Sequence, residues 1–220
     1  MLDYRELIYR RDGSRRAALN MLIIVINILV FLWLELKGST MDAQFMYEHG
    51  ASFPIAVIEQ KEYYRLFTSM FMHFGASHLF NNMLVLFFLG DNLERAVGKI
   101  RYLFIYLGSG VIGAIVSAIA MYKSGDYGVG AGASGAIFGV FGALFFLVLY
   151  HRGRMEDLTV KRLGVFILMT LYSGFTSTGV DNYAHVAGLL SGFLLALLIG
   201  RRKRKGVYRT ERTVESPYED

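Results

Sequence analysis

Six stretches of this chain are apolar over about the length that crosses a lipid bilayer, roughly 20 residues each. Such runs leave few structural options. In hydrocarbon every backbone N–H and C=O must be satisfied within the protein, so a spanning segment is a helix or part of a closed barrel. These runs lack strict two-residue alternation, and each is closed by charged, glycine or aromatic residues, which predicts helices. The predicted spans are 17–36, Ala76–Leu93, Tyr102–Tyr122, Gly128–Tyr150, Leu163–Val180 and Tyr183–Ile199. The fifth is the weakest, because Thr170, Ser173, Thr176, Ser177 and Thr178 dilute it. A first run behind a basic tail can also be a signal peptide. This one is long for that, and no small-residue cleavage site follows, so it is expected to be retained.

The fold expected is therefore an all-α membrane protein, a bundle of six transmembrane helices. Its bulk composition agrees: 54% of the 220 residues are hydrophobic and 19% charged. The domain plan is an N-terminal tail over 1–16, one six-helix domain over 17–200 and a basic, disordered tail over 201–220. Residues 37–75 are too polar to span and too apolar for a free linker. They are expected to lie in the membrane interface as an amphipathic loop structure.

Charge orients the bundle. With six spans both tails share a side, together with Arg95, Lys99, Arg101, Arg152, Arg154, Lys161 and Arg162. That side holds 19 of the 23 lysines and arginines, leaving Lys37, Lys61, Arg65 and Lys123 opposite. The positive-inside rule places both termini in the cytoplasm. The net charge of +5 is used in this way and implies no nucleic-acid partner.

The same orientation gathers the unusual polar residues. His78 and Asn82, Ser134, and His185 lie on three spans that all enter from outside, and each falls in the outer part of its span. Chance placement would scatter them over both leaflets. A lone serine in an apolar helix usually bonds only to the carbonyl one turn back. Beside a histidine, however, its hydroxyl can be deprotonated and become a nucleophile. His78 and Asn82, at i and i+4, share one helix face, and their N–H groups can serve a developing oxyanion, as can the backbone N–H of Ser134. Asp91 and Glu94 belong to the other end, so no carboxylate is expected to orient the histidine. A hydrolase built this way works with a Ser–His dyad.

Other chemistries are less consistent with the sequence. There is no cysteine, hence no thiol nucleophile or disulfide. No His-Glu-x-x-His motif occurs, and neither metal nor cofactor is implied. A transporter is disfavoured because the inner half shows no convergent charge in the sequence. Close helix packing is encoded by Gly135 and Gly139 on the fourth span and by Gly188 and Gly192 on the sixth, each a small-x-x-x-small pair. The latter two follow His185 at i+3 and i+7, along its stripe of the helix.

Three motifs together resemble the rhomboid family of intramembrane serine proteases: Gly132-Ala133-Ser134-Gly135 with Gly139, Ala184-His185-Val186-Ala187-Gly188 with Gly192, and His78-Leu79-Phe80-Asn81-Asn82. The resemblance runs from about Lys61 to Gly200. It implies Ser134 as nucleophile, His185 as general base, and His78 and Asn82 as oxyanion-hole side chains. Glu94 resembles the family's structural glutamate after the second span. Two positions depart from the pattern. The family's Trp-Arg pair appears as Tyr64-Arg65, and Phe138 stands where some members have tyrosine, leaving a ring to stack on His185 without a hydroxyl. His73 has no assigned role, and His49 and His151 are expected in solvated loops.

The resemblance implies a serine endopeptidase that cuts transmembrane protein substrates in or beside their spans; the N-terminus does not read as a transit peptide, so a prokaryotic cell membrane is the expected location. A substrate must offer extended backbone, because helical carbonyls are already bonded. The alternative is a non-catalytic rhomboid-like protein that binds client transmembrane helices. Nothing in the sequence sets the oligomeric state.

Overall fold

The fourth apolar run forms the axis of the molecule. The computed structural model describes residues 16–155 and 157–199, so the tails expected at 1–16 and 201–220 lie outside the described residues, apart from Arg16. Ten α-helices follow in order among the described residues. Helix α1 is Ala18–Lys37, and α2 (Ala43–Glu48), α3 (Pro54–Ile58) and α4 (Arg65–Thr68) are short. Then come α5 (Gly75–Val85), α6 (Asp91–Val97), α7 (Lys99–Ser124), α8 (Ser134–Tyr150), α9 (Val160–Thr176) and α10 (Asn182–Ile199). A two-stranded antiparallel turn, Arg154–Met155 with Leu158–Thr159, joins α8 to α9. Helix α8 is apolar on every side and buried without a break from Gly135 to Leu144, as expected of a helix ringed by others. The outer helices turn their large apolar residues outward instead: Leu22, Leu29 and Leu36 on α1, Leu168 and Met169 on α9, Leu194 and Leu198 on α10 are exposed.

Three helices, α1, α7 and α10, are long and apolar enough to cross a membrane. Residues 65–71 and 75–97 together make a fourth, sharply bent candidate, with 89° between its two parts. Helix α8 is apolar but has only 17 residues.

Two helix boundaries differ from expectation. The run from Gly128 does not open α8. Gly128–Ala133 stays irregular, and the helix begins at Ser134, which puts Ser134 at its first residue. The run is held out of the helix by partners elsewhere: Ser52 and Gly130 exchange two backbone hydrogen bonds of 2.8 Å, and Gly132 N–H donates to Ser69 O at 3.0 Å. Glycine's poor helix propensity offers little resistance. The second run is also not one regular helix. It extends to Val97 and contains a π turn at Leu86–Gly90. Asn20 of α1 accounts for it: its Nδ2 donates to Leu86 O at 3.0 Å, and its Oδ1 lies where a Cβ on Gly90 would be. An inserted polar side chain of this kind is a usual cause of a π turn.

Carboxylates do converge at the end of the bundle where α1 starts, the half for which the sequence showed no convergent charge. Both are taken up by the start of α1. Asp91 accepts Ala17 N–H at 2.7 Å, while Glu94 accepts Asn20 N–H at 2.6 Å and Leu19 N–H at 3.3 Å. Those N–H groups have no partner within the helix, so α6 supplies the cap that the Ala17 side chain cannot.

Segment 38–74 folds around buried Arg65. Its guanidinium lies over the Tyr47 ring at 4.3 Å, pairs with Glu62, and donates to Tyr47 O at 2.5 Å and Ala51 O at 3.0 Å. The Tyr64 ring, 5.2 Å away, contributes a second face. His49 and His151, expected in solvent, are each half-buried one turn beyond a helical carbonyl. Their Nδ1 atoms lie 2.8 Å from Phe45 O and Leu147 O, closing the ends of α2 and α8.

Candidate active site

Ser134 and His185 meet because glycine removes the side chains that would separate their helices. A Cβ on Gly188 would overlap Gly135 O, and one on Gly192 would overlap Gly139 O. A Cβ on Gly142 would likewise overlap the carbonyl oxygen of Leu189. Helices α8 and α10 therefore touch backbone to backbone over two turns, with dispersion as the main attraction available in lipid. Ala184 seats the first turn of α10 in the same way: its carbonyl oxygen would be 2.9 Å from a Cβ on Gly113 of α7, and its Cβ 3.6 Å from one on Gly135.

At this end of the contact, Ser134 Oγ lies 2.9 Å from His185 Nε2. The serine makes this side-chain bond instead of the bond to a carbonyl one turn back. His185 is buried, and its ring stacks on Phe138 with centroids 4.3 Å apart and planes 21° from parallel. Phe138 is one turn along α8 from Ser134, so a single helix supplies both the hydroxyl and the surface that fixes the imidazole. His185 Nδ1 has no hydrogen-bond partner among the described residues.

His78 comes from α5 and reaches the same place over Gly132. A Cβ there would be 2.8 Å from His78 Cε1, 3.0 Å from Nε2 and 3.8 Å from Ser134 Oγ. Gly132 also has φ of +138°, a conformation L side chains rarely adopt. Asn82, one turn below His78, is buried, and its Nδ2 has no partner among the described residues.

Two further residues hold this arrangement. His73, in the connection ahead of α5, is fully buried, and its ring meets that of His78 edge-on at 5.1 Å. His73 Nε2 accepts Ala133 N–H at 3.4 Å, which requires that nitrogen to carry no proton, so the imidazole is neutral. The second is Asp181, which was not singled out in the sequence. Its Oδ1 accepts Ala184 N–H at 2.9 Å, and its Oδ2 accepts the Ser117 hydroxyl at 2.5 Å. The signal was available: an aspartate just before a long apolar run is a helix N-cap pattern. Its reach to α7 was not legible. Glu94 and Asp91 serve the start of α1, far from this site.

A helical membrane bundle with a paired serine and histidine at adjacent helix starts defines the class. The chain belongs to the rhomboid family: the Rhomboid domain matches residues 60–202. Rhomboid protease GluP of Bacillus subtilis (strain 168) is 37% identical over 183 residues, covering 83% of this chain and 35% of that protein. Putative rhomboid protease YdcA of the same organism is 36% identical over 144 residues, 66% of this chain and 71% of its own length. RHOMBOID-like protein 4 of Arabidopsis thaliana is 33% identical over 151 residues, 68% of this chain and 37% of that protein. The chain thus spans about a third of the first of these relatives and most of the second.

Proposed function

We propose that this chain is an intramembrane serine endopeptidase that hydrolyses peptide bonds in or next to the transmembrane segments of other membrane proteins. The observation that carries the reading is the 2.9 Å contact between Ser134 Oγ and His185 Nε2, within reach for direct proton transfer. A protein that only binds client helices has no need of this pair, which favours catalysis over the non-catalytic alternative.

In this mechanism His185 Nε2 takes the Ser134 proton as Oγ attacks the scissile carbonyl carbon. The imidazolium then returns that proton to the departing amine. Water hydrolyses the acyl-enzyme, with His185 again acting as base. Negative charge on the carbonyl oxygen is met by the backbone N–H of Ser134, by His78 and by Asn82 Nδ2. Two features support these roles. The first N–H groups of a helix have no internal acceptor, and Ser134 starts α8. A buried carboxamide donor without a partner, as at Asn82, is costly unless something is to use it. Phe138 keeps the imidazole plane fixed while its charge changes.

The helices at Ala18–Lys37, Lys99–Ser124, Ser134–Tyr150, Val160–Thr176 and Asn182–Ile199, with the helical segment 75–97, are taken as six spans with both termini cytoplasmic. At about 1.5 Å per residue the 17 residues of α8 cover about 25 Å, less than the roughly 30 Å hydrocarbon layer. With its inner end at the inner interface, Ser134 sits below the outer membrane surface. Substrates are transmembrane proteins able to unwind there, and water enters from the outer side.

The test is cleavage of a model transmembrane substrate by the purified chain and by Ser134→Ala. We expect cleavage by the former and none by the latter. Equal cleavage by both would overturn the assignment.

A further inference from the structure

Among the described residues Asp181 is the carboxylate that the site's own surroundings hold in place, and no step of the proposed mechanism uses it. It ends the loop between α9 and α10. Its two oxygens serve different helices: Oδ1 takes the N–H of Ala184, next to His185, and Oδ2 takes the hydroxyl of Ser117 on α7. Its main-chain carbonyl accepts the N–H of His185 itself at 3.1 Å. Ser117 is buried, and with Asp181, Ala184 and Ser134 it lines one small cavity.

We propose that Asp181 is a positioning residue, which by bridging Ala184 N–H to Ser117 clamps the first turn of α10 to α7 and holds His185 in reach of Ser134. The inference rests on the serine-protease reading above.

The argument is geometric. Helix ends fray, and His185 stands in the first turn of its helix, where fraying would move it most. Below that turn the glycine contacts fix α10 against α8. Above it the Asp181 bridge ties α10 to α7. The bridge and the contact of Ala184 with Gly113 are successive rungs of one antiparallel contact, because Ser117 lies one turn along α7 from Gly113. An ordinary N-cap would satisfy the N–H of Ala184 alone. The second oxygen adds the distance between two helices, and charge-assisted bonds of this length are strong ones.

Two readouts on the full chain in detergent test this. One is the rate at which a fluorophosphonate labels Ser134. The other is cleavage of a model transmembrane substrate, with kcat and KM determined separately. Asp181→Ala should lower the labelling rate and kcat by about 10- to 100-fold, the scale of an ångström-sized misplacement, with KM nearly unchanged. Asp181→Asn keeps an oxygen for Ala184 N–H and gains an NH2 that can donate to Ser117 Oγ, so it should restore most of the rate. Ser117→Ala removes only the far hydroxyl and should cost less than Asp181→Ala. Combined with Asp181→Ala it should add nothing further.

Wild-type rates in Asp181→Ala would overturn the proposal. So would an Asp181→Asn as slow as the alanine variant, or additive losses in the double variant. If Asp181→Ala fails to fold, Ser117→Ala decides, and wild-type labelling and kcat in it overturn the proposal. A wild-type chain that neither labels nor cleaves sinks the protease reading and this inference with it. A reactive wild type with an indifferent Asp181→Ala sinks this inference alone.

Discussion

His185 is held on three sides by different kinds of force. Ser134 bonds its Nε2, Phe138 stacks on its face, and the Asp181 carbonyl holds its backbone N–H. Truncation of the side chain should therefore remove chemistry and leave most of the helix contact, which runs through Gly188 and Gly192. His185→Ala should lower cleavage and fluorophosphonate labelling of Ser134 on the order of 100- to 10,000-fold, the range for loss of a general base. Activity within a few-fold of wild type would identify another base, and His78 would be the first to test. His73 illustrates a buried imidazole of another kind. Neutral and fully enclosed, it supports the loop before Ser134 and the edge of His78.

At the scale of elements, glycine carries both fold and site. Gly188 does no chemistry, yet a methyl group there would overlap Gly135 O, one residue from Ser134. Backbone cannot move aside as a flexible side chain can, so the two helices must separate. Gly188→Ala should lower thermal stability and cost on the order of 100-fold in cleavage rate, since it shifts the base from the nucleophile. The matched control is Gly164→Ala on α9. A Cβ there meets only Phe145, at 3.8 Å, an ordinary contact. In a helix interior this change should leave activity alone and stabilise by roughly 0.5–1 kcal/mol. Thermal unfolding and cleavage of both variants check the pair. Normal cleavage by Gly188→Ala would mean that α8 and α10 do not work through this face.

For the molecule as a whole, the proposed orientation makes the site an outer-leaflet one. The chain has no cysteine, so single cysteines can be introduced on a clean background. Lys123, in the last turn of α7, and Lys161, in the first turn of α9, are both exposed. Lys123→Cys should react with an impermeant thiol reagent added outside intact cells. Lys161→Cys should react only after the membrane is opened. Labelling of both from one side would overturn the six-span arrangement.

By itself the sequence determined whatever depends on a short window of residues. Apolar runs gave helices, because a backbone in lipid must bond to itself. Glycines four apart marked the faces where helices could touch, and the motifs around His78, Ser134 and His185 marked membership of the rhomboid family. Helix α8 was legible as the apolar run Gly128–Tyr150, though not its first residue. The tertiary structure decided what depends on partners far along the chain. Ser134 begins its helix because Ser52 and Ser69 hold Gly130 and Gly132 out of it. The π turn at Leu86–Gly90 exists because Asn20, 66 residues before Leu86, inserts there. Asp91 read only as an acid at a helix end, and Glu94 as a structural glutamate with no partner in view, until the start of α1 arrives beside them. Asp181 carried a cap signal that the sequence reading passed over, and only the packing of α7 against α10 gave its second oxygen a partner in Ser117, 64 residues away. Local pattern fixes a residue's own conformational preference, whereas a hydrogen bond across the bundle depends on where two separately formed helices come to rest.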